Sequence, residues 1–140
     1  MTDEQPKNQI PEATETQQYI DKWKRAEANL VNYRKDELKR IQEMLKFGME
    51  GVILDMLDVL DSLDVAVRHV PPDPGLTQVQ KQFLHTLQKY GVEKIAAQDQ
   101  KFDPVLHEAI SGTGEAVQEE VRAGYTMHGK VIRPARVVLK

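Results

Sequence analysis

Three side chains that could carry out acid–base chemistry lie close together in the C-terminal third of the sequence. They are Asp103, His107 and Glu108, an aspartate, a histidine and a glutamate within six residues. A positioned carboxylate or imidazole can transfer a proton in a reaction. However, no nucleophile, phosphate-binding glycine loop or enclosing pocket is predicted beside them. We therefore expect Phe102, Pro104 and His107 to shape the entry of the chain into a β-domain rather than to catalyse a reaction.

The other histidines and a regular series of aspartates do not predict a metal site either. Three histidines lack the spacing of metal ligands, namely His69, His85 and His128. Four aspartates recur at every third residue of a predicted helix, namely Asp55, Asp58, Asp61 and Asp64. Because a step of three residues rotates slowly around a helix, we expect these carboxylates to spread over a solvated face. The sequence predicts no enzyme, no cofactor and no metal.

The elements around these residues begin with a helical stretch without proline, from about Gln18 to His69. Such a helix would reach roughly 75 Å at ~1.5 Å per residue, too long for one compact domain of this chain length. Apolar residues recur along it at three- and four-residue steps: Ile20, Trp23, Ala26, Leu30, Tyr33, Leu38, Ile41, Leu45 and Val52. This narrow apolar seam, with charged residues opposite, predicts a paired helix over residues 18–50.

A helical hairpin is predicted over residues 51–99. Gly48 and Gly51 mark a weak point or bend before it, since each costs roughly 1 kcal/mol relative to alanine in a helix. Asp73 can cap a return helix and Pro74 suits its first position, and we expect this helix to run from about Leu76 to Gln98. Two such helices cannot cover their own apolar surface. We therefore predict a four-helix bundle formed by a parallel homodimer.

A small all-β domain is predicted over residues 100–140, where glycine and proline punctuate short apolar runs. Met127 to Lys130 is typical of a hairpin connection between a strand over Val121–Tyr125 and one over Val131–Ile132. The domain has few large apolar residues, so we expect it to be stabilised by packing on the bundle. The predicted fold class is α+β: a long paired helix, a dimeric four-helix bundle and this β-domain.

Composition agrees with an extended interaction protein. Charged residues make up 29% and aromatic residues 6% of the chain, which leaves little for a large core. The net charge of −3 comes from a polar tail at residues 1–17, which we expect to be disordered. The chain has no cysteine and no apolar run long enough for a signal peptide or a membrane span. We expect a cytoplasmic protein without membrane contact.

An ordered series of motifs extends over residues 20–140. It comprises Arg25-Ala26-Glu27-Ala28-Asn29, Asn32-Tyr33-Arg34-Lys35, Leu57-Asp58-Val59-Leu60-Asp61-Ser62-Leu63-Asp64, Tyr90-Gly91-Val92-Glu93, Phe102-Asp103-Pro104, His107-Glu108-Ala109, Gly124-Tyr125, Gly129-Lys130-Val131-Ile132-Arg133-Pro134-Ala135 and Val137. In order and spacing this set closely resembles the GrpE family, the nucleotide exchange factors of DnaK-type heat-shock chaperones. Glycine at positions 48 and 51 departs from the family pattern, which favours helix-forming residues there.

The resemblance implies a homodimer whose small β-domain binds the nucleotide-binding domain of the chaperone, opens its cleft and releases ADP. It implies chaperone contacts at Val121, Lys130 and Arg133 in the β-domain, and a secondary contact at the basic pair Arg34 and Lys35. All of these except Arg133 have a structural alternative. Lys130 could be a solvated turn residue, Val121 a core residue of the small domain, and the basic pair ordinary helix solvation.

The resemblance also implies structural motif positions that shape the β-domain and its junction with the bundle. These are Gly91, Phe102, Pro104, His107, Gly124, Tyr125, Gly129 and Pro134. For Gly91 we expect close packing of the bundle against the β-domain rather than contact with the chaperone.

Two other classes of protein remain as alternatives. A structural coiled-coil tether without exchange activity would explain the long helix and the dimer but not the ordered C-terminal motifs. A nucleic-acid binder could use the basic residues of positions 121–140, which include no acidic residue. Tyr125 is the one aromatic residue there, so a stacking surface is thin, and we expect no nucleic-acid partner.

Overall fold

The structure is a computed structural model that describes residues 11–69 and 71–140. The chain divides into two compact units, Met1–Leu45 and Lys46–Lys140. Among the described residues, no helix combines the length and the apolar character needed to cross a membrane.

The first helix, α1, spans Pro11–Phe47 and provides the described part of the first unit. It begins seven residues before the predicted start at Gln18, so residues 11–17, assigned to a disordered tail, are helical instead. The side chain of Gln17 donates a hydrogen bond to Asp21 at 3.0 Å, one turn further along. The predicted disorder of residues 1–10 lies outside the described residues.

The helical stretch is interrupted where the glycines indicated. Helix α1 ends at Phe47, a turn occupies Gly48 and Met49, and helix α2 spans Glu50–Val67. The backbone N–H of Ile53 bonds to the carbonyl of Met49 at 2.9 Å, which starts the new helix. Gly51 lies inside α2, where added side-chain carbon would meet nothing within 4 Å.

Helix α3 spans Pro74–Lys89 and begins as the sequence predicts. The carboxylate of Asp73 accepts a hydrogen bond from the N–H of Gly75 at 2.8 Å, and Pro74 occupies the first helical position. The predicted end at Gln98 is wrong. The helix stops at Lys89 because Gly91 takes a left-handed conformation, with φ of 76°, and turns the chain into a strand.

The β-domain contains two three-stranded sheets. Strands β1 (Val92–Lys94), β4 (Tyr125–Met127) and β5 (Lys130–Arg133) form an antiparallel sheet in the order β1-β4-β5. Strands β2 (His107–Ser111), β3 (Val117–Arg122) and β6 (Ala135–Leu139) form the other, in the order β2-β6-β3. Within it β2 pairs parallel to β6, and β3 pairs antiparallel.

The predicted hairpin connection is confirmed at His128 and Gly129, between β4 and β5. The predicted strand Val121–Tyr125 is wrong, because it is divided between β3 in one sheet and β4 in the other. The division falls at Ala123 and Gly124. The backbone of Gly124 passes so close to that of Ala135 that a side chain on the glycine would overlap it.

Two apolar clusters hold the second unit together. The larger joins α2 and α3 to the first sheet and consists of Ile53, Leu57, Leu60, Leu87, Val92, Ala123, Tyr125 and Met127. The smaller lies under the second sheet and consists of Ala97, Val117, Ala135, Val137 and Leu139. The β-domain therefore shares its main core with the helices. The α+β class expected from the sequence is confirmed.

Candidate functional site

The tip of the β4–β5 hairpin presents Lys130. His128 and Gly129 both have positive φ, 48° and 81°, as a tight two-residue hairpin turn requires. The ammonium of Lys130 lies 3.7 Å from the carboxylate of Glu50 and 5.1 Å from the ring centroid of Phe47. Its side chain nevertheless remains 59% exposed. Lys130 is therefore an accessible cation held over α2 and the end of α1, rather than a freely solvated turn residue.

Val121 lies near the end of β3 and is 46% exposed. Val117, four residues earlier at the start of β3, is by contrast fully buried in the smaller apolar cluster. Val121 is therefore not a core residue of the β-domain, which was the alternative from the sequence. It borders a shallow surface pocket together with Asp61, Asp64, Val65, Arg68, Arg122 and Ala123.

Arg133 is located differently from Lys130 and Val121. It is only 9% exposed, and its guanidinium makes two hydrogen bonds to the carboxylate of Asp61, at 2.8 and 2.6 Å. Two further bonds reach the carbonyl of Ala123, at 3.0 and 2.7 Å, and the group lies 5.3 Å from the ring centroid of Tyr125. Because its donors are used inside the chain, this geometry favours a structural role for Arg133 over the predicted contact.

Asp61 accepts hydrogen bonds from a second arginine as well. The Nε atom of Arg122 lies 2.9 Å from the carboxylate of Asp61, and another guanidinium nitrogen lies 2.8 Å from that of Asp58. Burial alone would raise the pKa of the Asp61 carboxyl. The hydrogen bonds and charges of Arg133 and Arg122 outweigh burial and hold this pKa below its ordinary value. Asp61 is thus an ionised carboxylate between two guanidinium groups.

The expectation that the aspartates of α2 spread over a solvated face is therefore wrong for Asp61 and Asp64, which are partly buried, whereas Asp55 and Asp58 remain exposed. Asp58 and Asp61 bind arginines of the β-domain, and Asp64 accepts a hydrogen bond from the amide of Gln80 on α3 at 2.6 Å. A signal was present in the sequence. The basic residues of positions 121–140 have no acidic residue among them, so their counter-charges must lie elsewhere.

His107, the candidate for acid–base chemistry, is a buried structural residue. Its Nδ1 atom accepts a hydrogen bond from the backbone N–H of Asp103 at 3.0 Å, and its Nε2 atom lies 3.1 Å from the carbonyl of Ala96. A backbone N–H can only donate and a carbonyl can only accept, so the proton of the neutral ring is on Nε2. Both nitrogens are occupied by backbone groups, which leaves neither free to take a proton from a substrate.

The rest of this segment has the same role. The carboxylate of Asp103 accepts a hydrogen bond from the N–H of Val105 at 2.9 Å. The backbone carbonyl of Asp103 accepts hydrogen bonds from the N–H groups of Leu106 and His107 at 3.1 and 2.8 Å. The rings of Phe102 and His107 lie 6.1 Å apart. Pro104 is exposed within the turn. The segment therefore forms a tight turn that delivers the chain into β2, as the sequence predicts.

The remaining motif positions shape the backbone or pack in the core. A side-chain carbon on Gly91 would approach the ring of His128, and Gly129 needs its positive φ. Tyr125 is buried in the larger cluster, and burial, followed by the carboxylate of Asp64, raises the pKa of its hydroxyl. Pro134 separates β5 from β6, where the chain crosses between the sheets.

The secondary contact that the resemblance implies lies on α1, in the first unit. Arg34 and Lys35 are neighbours on α1, and both side chains are exposed. Within the second unit, the structure places Lys130, Val121 and Arg133 on the β-domain and distinguishes them by burial. In the described part of the chain, no three histidine, aspartate or glutamate side chains are grouped so that they could hold a metal ion.

Comparison with known proteins gives a consistent result over nearly the whole chain. The family model for GrpE matches residues 2–140. Protein GrpE of Thermoplasma volcanium is 36% identical over 116 residues, which cover 80% of this chain and 65% of that protein. Protein GrpE of Methanosphaera stadtmanae is 35% identical over 133 residues, with 88% and 76% covered. Protein GrpE of Francisella philomiragia is 31% identical over 150 residues, with 97% and 78% covered. The chain thus spans just under two thirds of the first relative and about three quarters of the other two.

Proposed function

Because the chain belongs to the GrpE family, we propose that it is a co-chaperone of a DnaK-type chaperone. It binds the nucleotide-binding domain of that chaperone, opens the cleft and accelerates the release of ADP. The observation that carries this proposal is the family match over residues 2–140, which includes both the helices and the β-domain.

The mechanism is a shift of population. A protein that binds the open form of the nucleotide-binding domain more tightly than the closed form lowers the affinity of the chaperone for ADP. ADP in turn lowers the affinity of the chaperone for that protein by the same factor. No bond is made or broken, so the proposal needs no catalytic residue. It needs a rigid surface that fits the open cleft.

The β-domain provides that surface through Val121 and Lys130. Val121 offers an exposed apolar contact, and Lys130 offers an accessible cation for acidic groups of the chaperone. The surface pairing of Lys130 with Glu50, at 3.7 Å, is weak enough to be exchanged for a partner's carboxylate. Arg34 and Lys35 on α1 form the secondary contact.

The functional form is a parallel homodimer with paired helices and a four-helix bundle. Large apolar side chains on α1 are exposed in the single chain, Trp23 and Tyr33 among them. On the second unit, α2 and α3 border an apolar groove lined by Met56, Val79, Phe83 and Leu87. Apolar surface of this kind requires a partner, and a second copy of the chain supplies it. Sedimentation equilibrium tests the dimer directly, and a monomer at micromolar concentration would contradict it.

The exchange activity is tested by stopped-flow release of a fluorescent ADP analogue from a DnaK-type chaperone. The native chain should accelerate release, and the double variant Val121→Ala, Lys130→Ala should lose most of that acceleration. A matched control is the double variant Val105→Ala, Lys101→Ala, which removes the same side-chain types from other exposed positions of the β-domain. No acceleration by the native chain with a cognate chaperone would contradict the proposal and favour a coiled-coil tether.

A further inference from the structure

A single carboxylate connects the helical part of the second unit to both of its sheets. Asp61 is on α2, Arg122 is the last residue of β3, and Arg133 is the last residue of β5. Strands β3 and β5 belong to different sheets. The two arginines approach the same carboxylate, at 2.9 Å from Arg122 and at 2.8 and 2.6 Å from Arg133. The two sheets and the helix therefore meet at Asp61.

The bond from Arg133 is directional. Two parallel N–H···O bonds between a guanidinium and a carboxylate fix distance and angle together. The carbonyl of Ala123 and the ring of Tyr125 hold the other parts of the guanidinium, so that Arg133 itself has little freedom. By contrast, the apolar contacts between the helices and the first sheet are non-directional.

The strength of the association does not depend on this pair. The apolar cluster around Leu57, Leu60 and Tyr125 already buries the surface that holds sheet and helix together. A buried ion pair adds little net stability compared with apolar residues of similar size, because both charges lose water. What the pair provides is a defined orientation.

We propose that Asp61 and Arg133 are positioning residues that set the angle of the β-domain on α2 and so present Val121 and Lys130 to the chaperone. Arg133 then acts through Asp61 and does not touch the chaperone. The functional half of this inference rests on the proposed exchange activity. The geometric half concerns this chain alone and is measured without a chaperone.

The geometric half is tested by distance measurement between two spin labels. The chain has no cysteine, so cysteines at Lys81 on α3 and Ile110 on β2, both exposed, provide unique sites. Labelled chains are mixed with an excess of unlabelled chains, so that one labelled copy is observed at a time. A labelled chain that keeps Asp61 and Arg133 should give a narrow distribution of label distances. A labelled chain with Asp61→Leu and Arg133→Met should give a clearly broader one. The matched control is Asp55→Asn, an exposed aspartate on the same helix, which should leave the native distribution unchanged.

The functional half uses the same double variant because it keeps the interface filled. Replacement of a buried ion pair by apolar residues is commonly neutral or stabilising, but Arg133→Met also removes both donors to the buried carbonyl of Ala123. The rate is therefore measured well below the thermal midpoint of the variant, where it is fully folded. At a saturating concentration of the co-chaperone, its maximal rate of ADP release should nevertheless fall about tenfold, as expected for a displaced binding surface. If the pair does not position the β-domain, the folded variant should release ADP at the native rate.

A direct contact between Arg133 and the chaperone makes a different prediction. In that case Arg133→Met would lower the rate of ADP release further in the background of Asp61→Leu. A positioning role predicts no further loss, since the interaction is already broken.

Three results would overturn the inference. These are native distance distributions in the double variant, a native rate in the folded double variant, and additive effects of the two substitutions. If the native chain itself failed to accelerate ADP release, the exchange proposal would be lost, and the spin-label measurement would still decide the role of the pair in orientation.

Discussion

Gly91 and His128 approach each other so closely that a side-chain carbon on Gly91 would lie 2.5 Å from two atoms of the imidazole ring. The carbonyl of Gly91 also accepts a hydrogen bond from the backbone N–H of His128 at 2.9 Å. The end of α3 is thereby attached to the tip of the β4–β5 hairpin. The edge of the His128 ring then meets the ring of Phe47, with 6.0 Å between centroids.

The substitution Gly91→Ala should destabilise the protein for two separate reasons. A left-handed backbone costs a residue with a side chain about 1–2 kcal/mol, and crowding against the imidazole adds about 1–3 kcal/mol. Gly129→Ala is the matched control, because Gly129 has a similar φ of 81° and nothing within 4 Å of the added carbon. Chemical denaturation should show the larger loss for Gly91→Ala. Equal losses would mean that the imidazole moves aside at no cost.

Replacement of His107 should lower stability in proportion to the backbone bonds that are lost. His107→Leu removes the hydrogen bonds to the N–H of Asp103 and the carbonyl of Ala96, which are not fully buried, at about 0.5–1.5 kcal/mol for each bond. His107→Asn can keep one acceptor near Asp103 and should lose less. His85→Leu, at an exposed position of α3, is the control. Nitrogen NMR at neutral pH should find the proton of His107 on Nε2, and a proton on Nδ1 would contradict the bond assignment.

Removal of the Gln98 amide should make the edge of the second sheet available for association. This side chain donates a hydrogen bond to the carbonyl of Gln118 at 2.8 Å and accepts one from the N–H of Glu120 at 3.4 Å. It thus occupies backbone groups on the outer side of β3, an edge strand. Gln98→Ala should increase concentration-dependent association in sedimentation velocity runs. Gln100→Ala is the control for loss of an exposed glutamine, and indistinguishable behaviour of the two variants would contradict the protective role.

The ionised form of the Asp61 carboxyl should be favoured over the protonated form in the folded chain, an advantage that is present at neutral pH and lost in acid. Its folded pKa is lowered from the ordinary 3.8, so the folded chain binds this proton more weakly than the unfolded chain does. The contribution is therefore complete above about pH 4 and disappears as the pH falls through the lowered folded pKa. Asp58, Arg122 and Arg133 are the charged groups that surround the carboxylate.

Urea denaturation of the native chain and of Asp61→Asn checks this dependence. The native chain should be more stable by about 1.5–3 kcal/mol at neutral pH, the range for hydrogen bonds to charged groups. The difference should shrink as the solution is acidified below about pH 4. Asp55→Asn should show little difference at either pH. A difference for Asp61→Asn that stays constant with pH would contradict an ionised carboxylate at this position.

Local sequence signals were sufficient for the break between α1 and α2 and for the start of α3. Asp73 and Pro74 carry the chemistry of a helix start, and glycine lowers helix propensity, so the start of α3 and the break at Gly48 could be predicted. The end of α3 could not. The close packing expected at Gly91 agrees with its approach to His128, but the pattern does not predict that its left-handed backbone also ends the helix just before β1.

Strand pairing and the location of Arg133 depend on contacts between distant parts of the chain. The segment Val121–Tyr125 looks like one strand, and only the close approach of Gly124 to Ala135 shows why it divides. For Arg133 the resemblance implies a chaperone contact, and no carboxylate in the surrounding segment 121–140 indicates an internal partner. Its partner Asp61 precedes it by 72 residues, a separation at which local patterns give no information.

The central position of β6 in the second sheet affects the order in which the protein can fold. Strand β6 is the last of the six in chain order, yet β2 and β3 each pair with it and not with one another. During synthesis the α2–α3 hairpin can therefore form while β2 and β3 still have no strand to pair with. The parallel pairing of His107 with Ala135 closes a long loop, which is a slow step. The second sheet therefore cannot be completed before β6 has been synthesised, and until then the edges of β2 and β3 are open to chaperones and to aggregation.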